Sequence, residues 1–163
     1  MGAPVSPAAP AGYVRLRGAL LADSERVWVW RNDPETRAAS FDPAAIPWET
    51  HEEWFRATLS RHDPRLYIVV ADGTDTGVVR LAVVDAEAEV SIHLAPEARY
   101  RGIGALALRA VVGEAFDGLG LTRVYGRIRP DNQPSLAAFA KAGFGLMQTG
   151  NVVTAVKSTR DLP

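Results

Sequence analysis

The sequence predicts a single α/β domain with helices on both faces of a mixed, mostly antiparallel sheet. Three features predict it. Residues 66–94 fall into short strand-like runs separated by turn residues, the pattern of an antiparallel meander. Residues 89–128 then read strand, long apolar helix, strand, and such a crossover makes the two strands parallel. The chain has 163 residues, 47% of them apolar, which is the size of one domain with a real core.

Taken in order, residues 1–12 are rich in Pro, Ala and Gly and read as a flexible tail ahead of a domain over 13–163. Residues 13–17 alternate as a first strand. Asp23 or Ser24 caps a helix to about Trp30, which Asp33-Pro34 interrupts. A second helix runs over 48–61 with Trp54, Phe55 and Leu59 on its apolar side, and His62-Asp63-Pro64 ends it. Strands follow at 66–71, 77–84 and 89–94, joined by turns at 72–75 and 85–87. After a loop over 95–101, a helix over 102–117 is apolar around most of its circumference and stops at Gly118 and Gly120. A strand at 122–128, a helix from Pro134 to Gly143 and a hairpin of 144–147 with 152–157 complete the chain.

Composition removes several function classes. No cysteine is present, so disulfides, thiolate metal sites and cysteine nucleophiles are excluded. The three histidines lack metal-ligand spacing, and no metal is expected. A net charge of -1 gives no global basic field, and no nucleic-acid partner is expected. No apolar run reaches membrane-span length, and the N-terminus lacks the basic and apolar regions of a secretory signal. The expectation is a cytoplasmic protein without a membrane partner.

The segment Arg99-Tyr100-Arg101-Gly102-Ile103-Gly104-Ala105 joins a strand to a helix N-terminus. The first amides of a helix lack internal acceptors, and the dipole there favours negative charge. Gly102 and Gly104 let an anion approach the backbone, and Arg99 and Arg101 add charge, so a pyrophosphate is a natural ligand. The plain alternative is a Gly-rich turn with solvated arginines. A dinucleotide fingerprint also fits Gly102-x-Gly104-x-x-Ala107, but a long loop precedes the first Gly and the next strand ends in Arg129 rather than a ribose-binding carboxylate. No Gly-Lys-Ser/Thr phosphate loop is present.

Arg99-x-x-Gly102-x-Gly104 resembles the coenzyme A pyrophosphate loop of the GNAT N-acetyltransferases. Asn132-x-x-Ser135 followed by Phe139-x-x-x-Gly143-Phe144 resembles that family's second motif at the expected separation. The resemblance covers nearly the whole chain from Tyr13. It implies a sheet splayed at its central parallel pair, with acetyl-coenzyme A as co-substrate. It implies coenzyme contacts at Leu94, Ala95, Arg99 to Ala105 (Tyr100 and Ile103 included), Asn132, Ser135 and Phe139. Asp131 or Asn132 also suits a helix cap at Pro134, and capping and a coenzyme contact are compatible. Phe139 stands where many family members carry a Tyr that protonates the leaving thiolate. Direct transfer of the acetyl group to an amine is expected, with backbone N–H near Leu94 stabilising the oxyanion.

A strand buried on both faces is normally apolar throughout, yet Glu89, Ser91 and His93 share one face of their strand. By the resemblance that face looks into the acceptor cleft, where Ser91 would contact the acceptor and Glu89 or His93 would take the amine proton. A solvated sheet face is the bland alternative. Residues 30–37 and 46–55 resemble the N-terminal regions of amino-sugar-nucleotide acetyltransferases and share features with ribosomal-protein N-terminal acetyltransferases. Arg31, Asn32 and Arg37 become candidates for a sugar hydroxyl or phosphate, and Trp48 for a sugar face. Trp30, Trp54 and Phe55 read as core. A small-molecule amine, such as an amino sugar or its nucleotide, is the expected acceptor. A protein N-terminus, or coenzyme binding without turnover, is the alternative. A homodimer is compatible with the sequence.

Overall fold

Strand β1 (Val14–Gly18) leads through a 3₁₀ turn into helix α1 (Ser24–Asn32), followed by α2 (Pro34–Ala39) and α3 (Trp48–Arg61). The structure, a computed structural model, describes residues 11–163. Most of the expected tail lies outside the described residues. Of its last two positions, the Ala11 amide donates to Arg101 O at 3.2 Å and the Gly12 amide to Asp72 Oδ2 at 3.3 Å.

The meander forms as expected from β2 (Arg65–Ala71), β3 (Thr74–Val84) and β4 (Glu87–Leu94). Helix α4 (Ile103–Gly113) runs into a π turn over Glu114–Gly118 and crosses to β5 (Arg123–Ile128). Helix α5 (Gln133–Lys141), β6 (Gly145–Thr149) and β7 (Val152–Ser158) close the chain. The seven strands form one sheet in the order β1-β2-β3-β4-β5-β7-β6. All neighbours are antiparallel except β4 and β5, which are parallel.

Residue alternation decides which layer each helix covers. Tyr67 on β2 reaches Glu114 beyond α4, whereas Leu66, Ile68 and Val70 point to the opposite face. Helices α1 and α3 cover that second face; α4 and α5 pack together on the first. Phe55, Ile68, Leu81, Leu108, Val111 and Val124 are fully buried on the two sides of the sheet. Burial of such side chains stabilises by roughly 1.5–3 kcal/mol each.

Two differences from the sequence reading have local causes. Residues 34–39 are helical where a break was expected, because Asp33 accepts from the amides of Glu35 and Thr36 and Pro34 sits in the first turn. An Asp-Pro pair therefore ends one helix and starts the next. Strand β3 begins at Thr74, and a register shift at Val69/Val70 accommodates the extra residue; Thr76 Oγ1 donates to Val69 O at 3.1 Å.

Candidate active site at the parting of the parallel strands

Strands β4 and β5 pair only at Glu87↔Arg123, Ala88↔Val124 and Glu89↔Tyr125. Beyond Glu89 they separate, as the resemblance implied. Hydrogen-bond alternation identifies the groups left facing the gap. The Ala95 amide donates to Thr76 O at 2.8 Å, and Gly77↔Leu94 is the next pair along. Antiparallel pairs exchange bonds at every second residue, so Glu89, Ser91 and His93 bond back to β3. The peptide groups of Ile92 and Leu94 therefore point toward the departed β5. Leu94 N–H is aimed into the gap. Ala95 N–H is not, because Thr76 holds it.

At the end of β4 the chain turns through a 3₁₀ segment, Pro96–Ala98, into the Gly-rich loop. Gly102 caps α4 with φ of 76°, a left-handed conformation that favours glycine. No side chain caps this helix. Among the described residues, the amides of Ile103, Gly104 and Ala105 have no acceptor, and an open helix end of this kind suits an anion. Gly104 answers to a further constraint. A Cβ there would lie 3.3 Å from Ala138 Cβ on α5, so this glycine also lets the two helices approach.

The two loop arginines do not stand as solvated charges. Arg99 reaches Asp33 at 2.6 Å, Glu35 at 2.7 Å and Thr36 Oγ1 at 2.8 Å. The Arg99 guanidinium holds the Asp33 carboxyl below the usual carboxylate range. Tyr100, with φ of 62° and an exposed ring, donates to Glu35 Oε1 at 3.1 Å. Arg101 pairs with Asp72 at 3.8 Å. The positive charge attributed to Arg99 thus ties the loop to α2.

Helix α5 begins under the open end of β5. Asn132 Oδ1 accepts from the Ser135 amide at 3.3 Å, the expected cap. Phe139 is 2% exposed and packs edge-on against Phe144 with ring centroids 4.9 Å apart. A Cβ on Gly126 would stand 2.7 Å from the Phe139 ring and 3.3 Å from Val90 O. Phe139 therefore fills the core directly behind the parting strands.

The opposite face of β4 is polar, and the register names its members. Glu89 lies across from Ala82 and Tyr125, Ser91 from Arg80, and His93 from Val78. Glu89 accepts from Arg127 at 3.0 and 3.2 Å. His93 is pushed down to about 4, first by burial and then by the nearby Arg31 charge. It is neutral at pH 7 and a weak proton acceptor. Arg31 donates through Nη2 to Asp42 O at 3.2 Å.

Several acceptor-side candidates have structural work. Asn32 exchanges two bonds with the Ile46 backbone, at 3.0 and 2.8 Å. Arg37 Nε donates to Pro43 O at 2.9 Å, and Trp28 Nε1 to Ile46 O at 2.7 Å. Trp48 packs edge-on to Trp28 at 5.4 Å. Together they brace the loop between α2 and α3. Arg129, not singled out in the sequence, clips the same region through Ala38 O at 3.0 Å and Ser40 O at 3.2 Å. Trp30 and Phe55 are core as expected, whereas Trp54 is 40% exposed. Arg80 was also missed. Its signal was a lone arginine inside an otherwise apolar strand.

Among the described residues, no cluster of His, Asp or Glu is arranged to hold a metal ion, and no helix is long and apolar enough to cross a membrane.

A parted parallel pair followed by a Gly-rich helix N-terminus defines an acyltransferase scaffold. The acetyltransferase (GNAT) domain model matches residues 14–145, and the chain belongs to that family. No curated protein matches it by sequence. Solved structures match in fold. The aminoglycoside acetyltransferase AAC(6')-Ib, in complex with paromomycin and acetyl-coenzyme A, is 20% identical with a TM-score of 0.78, covering 91% of this chain and 94% of that one. Spermidine N-acetyltransferase from Vibrio cholerae, in complex with coenzyme A and spermine, is 18% identical with a TM-score of 0.80, covering 91% and 96%.

Proposed function

We propose that the protein transfers an acetyl group from acetyl-coenzyme A to the primary amine of a small molecule by direct attack. The observation that carries this reading is the opening of β4 from β5 after Glu89, with the α4 amides lacking acceptors beside it. Both features suit the co-substrate. The α4 N-terminus would take the pyrophosphate, with Ser135 at the start of α5 nearby. The Ile92 and Leu94 peptide groups would bond the extended amide arm, and Leu94 N–H would stabilise the developing oxyanion.

The amine lone pair attacks the thioester carbonyl, the C–N bond forms, the C–S bond breaks, and coenzyme A leaves as thiolate. Phe139 cannot protonate it, but a thiol of pKa about 8.5 leaves readily without an acid. The amine proton goes to Glu89, directly or through water. His93, which burial keeps neutral at pH 7, is the second candidate for that proton. The small-molecule acceptor draws support from the fold neighbours, whose complexes hold aminoglycosides and spermine.

Calorimetry with acetyl-coenzyme A tests the reading. Binding and a higher Tm are expected; no heat at millimolar coenzyme would refute it. Glu89→Gln should then lower kcat/KM by about tenfold or more at pH 7, with partial rescue at high pH where the amine is already deprotonated. Parallel pH profiles for the two proteins would remove Glu89 from the mechanism.

A further inference from the structure

The polar face beside the gap contains two cations with unspent donors. Arg80 Nε and Arg31 Nη1 are both buried without a hydrogen-bond partner among the described residues. Arg80 sits in the middle of β3, between Leu66 on β2 and Ser91 on β4, and has no ion pair among the described residues. Arg31 comes from the end of α1 on the same face and lies close enough to His93 to act on its charge. Three nearby carboxylates are occupied elsewhere: Glu89 by Arg127, Asp33 and Glu35 by Arg99. A buried guanidinium N–H without an acceptor is costly, and two on one polar face mark a place suited to a negative group.

We propose that Arg80 and Arg31 bind an anionic group of the acceptor, a carboxylate or a phosphate, so that the substrate is an acidic amine. This rests on the acetyltransferase reading and names its substrate class. Guanidinium groups bind both oxyanions through paired N–H bonds. Ser91, directly across from Arg80, offers a hydroxyl to the same group. A polyamine would bring positive charge against two buried cations and is disfavoured.

The test is coenzyme A release with matched acceptors: L-amino acids against their amides, glucosamine 6-phosphate against glucosamine, and spermidine. An acidic amine should exceed its neutral partner by about a hundredfold in kcat/KM, as expected where one partner of a buried charge pair is missing. The winning pair tells carboxylate from phosphate. Arg80→Met should collapse that ratio toward one while leaving Tm unchanged or higher. A purely structural arginine would instead lower Tm and keep the ratio. Preference for glucosamine or spermidine, with turnover intact, would overturn this proposal and spare the acetyltransferase reading.

A second measurement stands apart from turnover. With the protein saturated in coenzyme A, inorganic phosphate at fixed ionic strength should raise the Tm of wild type but not of Arg80→Met. Equal responses would overturn the proposal. Failure of coenzyme A to bind would instead refute the family mechanism.

Discussion

The two halves of the site use arginine in opposite ways. On the proposed coenzyme side, Arg99 and Arg101 are matched to acids of the same chain, and the α4 amides are the donors without acceptors. On the proposed acceptor side, Arg31 and Arg80 keep buried side-chain N–H groups without acceptors among the described residues. The difference teaches how each half is specified. A backbone site depends on close approach and dihedral angles, so it tolerates many side chains but few departures from glycine. A side-chain site is set by which elements the topology brings together, and it is free to vary with the substrate.

The comparison breaks most severely at Gly77. A Cβ there would meet His93 O at 2.6 Å and Leu94 Cδ2 at 2.8 Å, and the backbone oxygen cannot step aside. Gly77→Ala should cost about 1–3 kcal/mol and displace the end of β4. Urea unfolding and coenzyme titration check it; an unchanged midpoint with full affinity would show that the coenzyme half does not depend on this approach.

A smaller effect belongs to His93. The unfolded histidine binds its proton near pH 6.5, whereas the folded one waits until about 4. Between those values the unfolded state holds more protons, so stability rises with pH across the window. Nothing is lost above 6.5, and the penalty is complete below 4. The slope from this group reaches at most about 1.4 kcal/mol per pH unit. His93→Gln should flatten the urea midpoint against pH between 4 and 6.5 relative to wild type. Coincident curves would place the histidine in solvent, away from the Arg31 charge.

The smallest effect should come from Arg99→Met. Losing a pair that is only part-buried costs about 1 kcal/mol of stability. Coenzyme affinity should fall less than about tenfold, with the same dependence on salt. A weaker salt dependence would show that Arg99 contacts the pyrophosphate after all.

Legibility in the sequence follows the same division. The loop over 99–105 could be read because glycines at fixed spacing are needed for the turn and the open helix end. The polar face of β4 could be read from alternation alone, since a central strand should be apolar. The duties of Asn32, Arg37 and Arg99 could not, because their partners at Ile46, Pro43 and Asp33 meet them only through loop geometry. Arg80 was visible as an anomaly, but only the pairing of β3 with β4 sets it opposite Ser91.

The parting of β4 from β5 also changes the count of sheet edges. A seven-stranded sheet ordinarily has two, and here they are β1 and the fully exposed β6. Beyond Glu89, β4 and β5 each present a further half-edge inside the fold, with Phe139 of α5 packed behind it. An outer edge can recruit a strand from any neighbouring molecule, the usual route to aggregation. An inner edge admits only a single extended chain narrow enough to enter between the layers. The fold thus holds unpaired peptide groups away from its outer edges, where the amide-bearing ligand proposed above would find them.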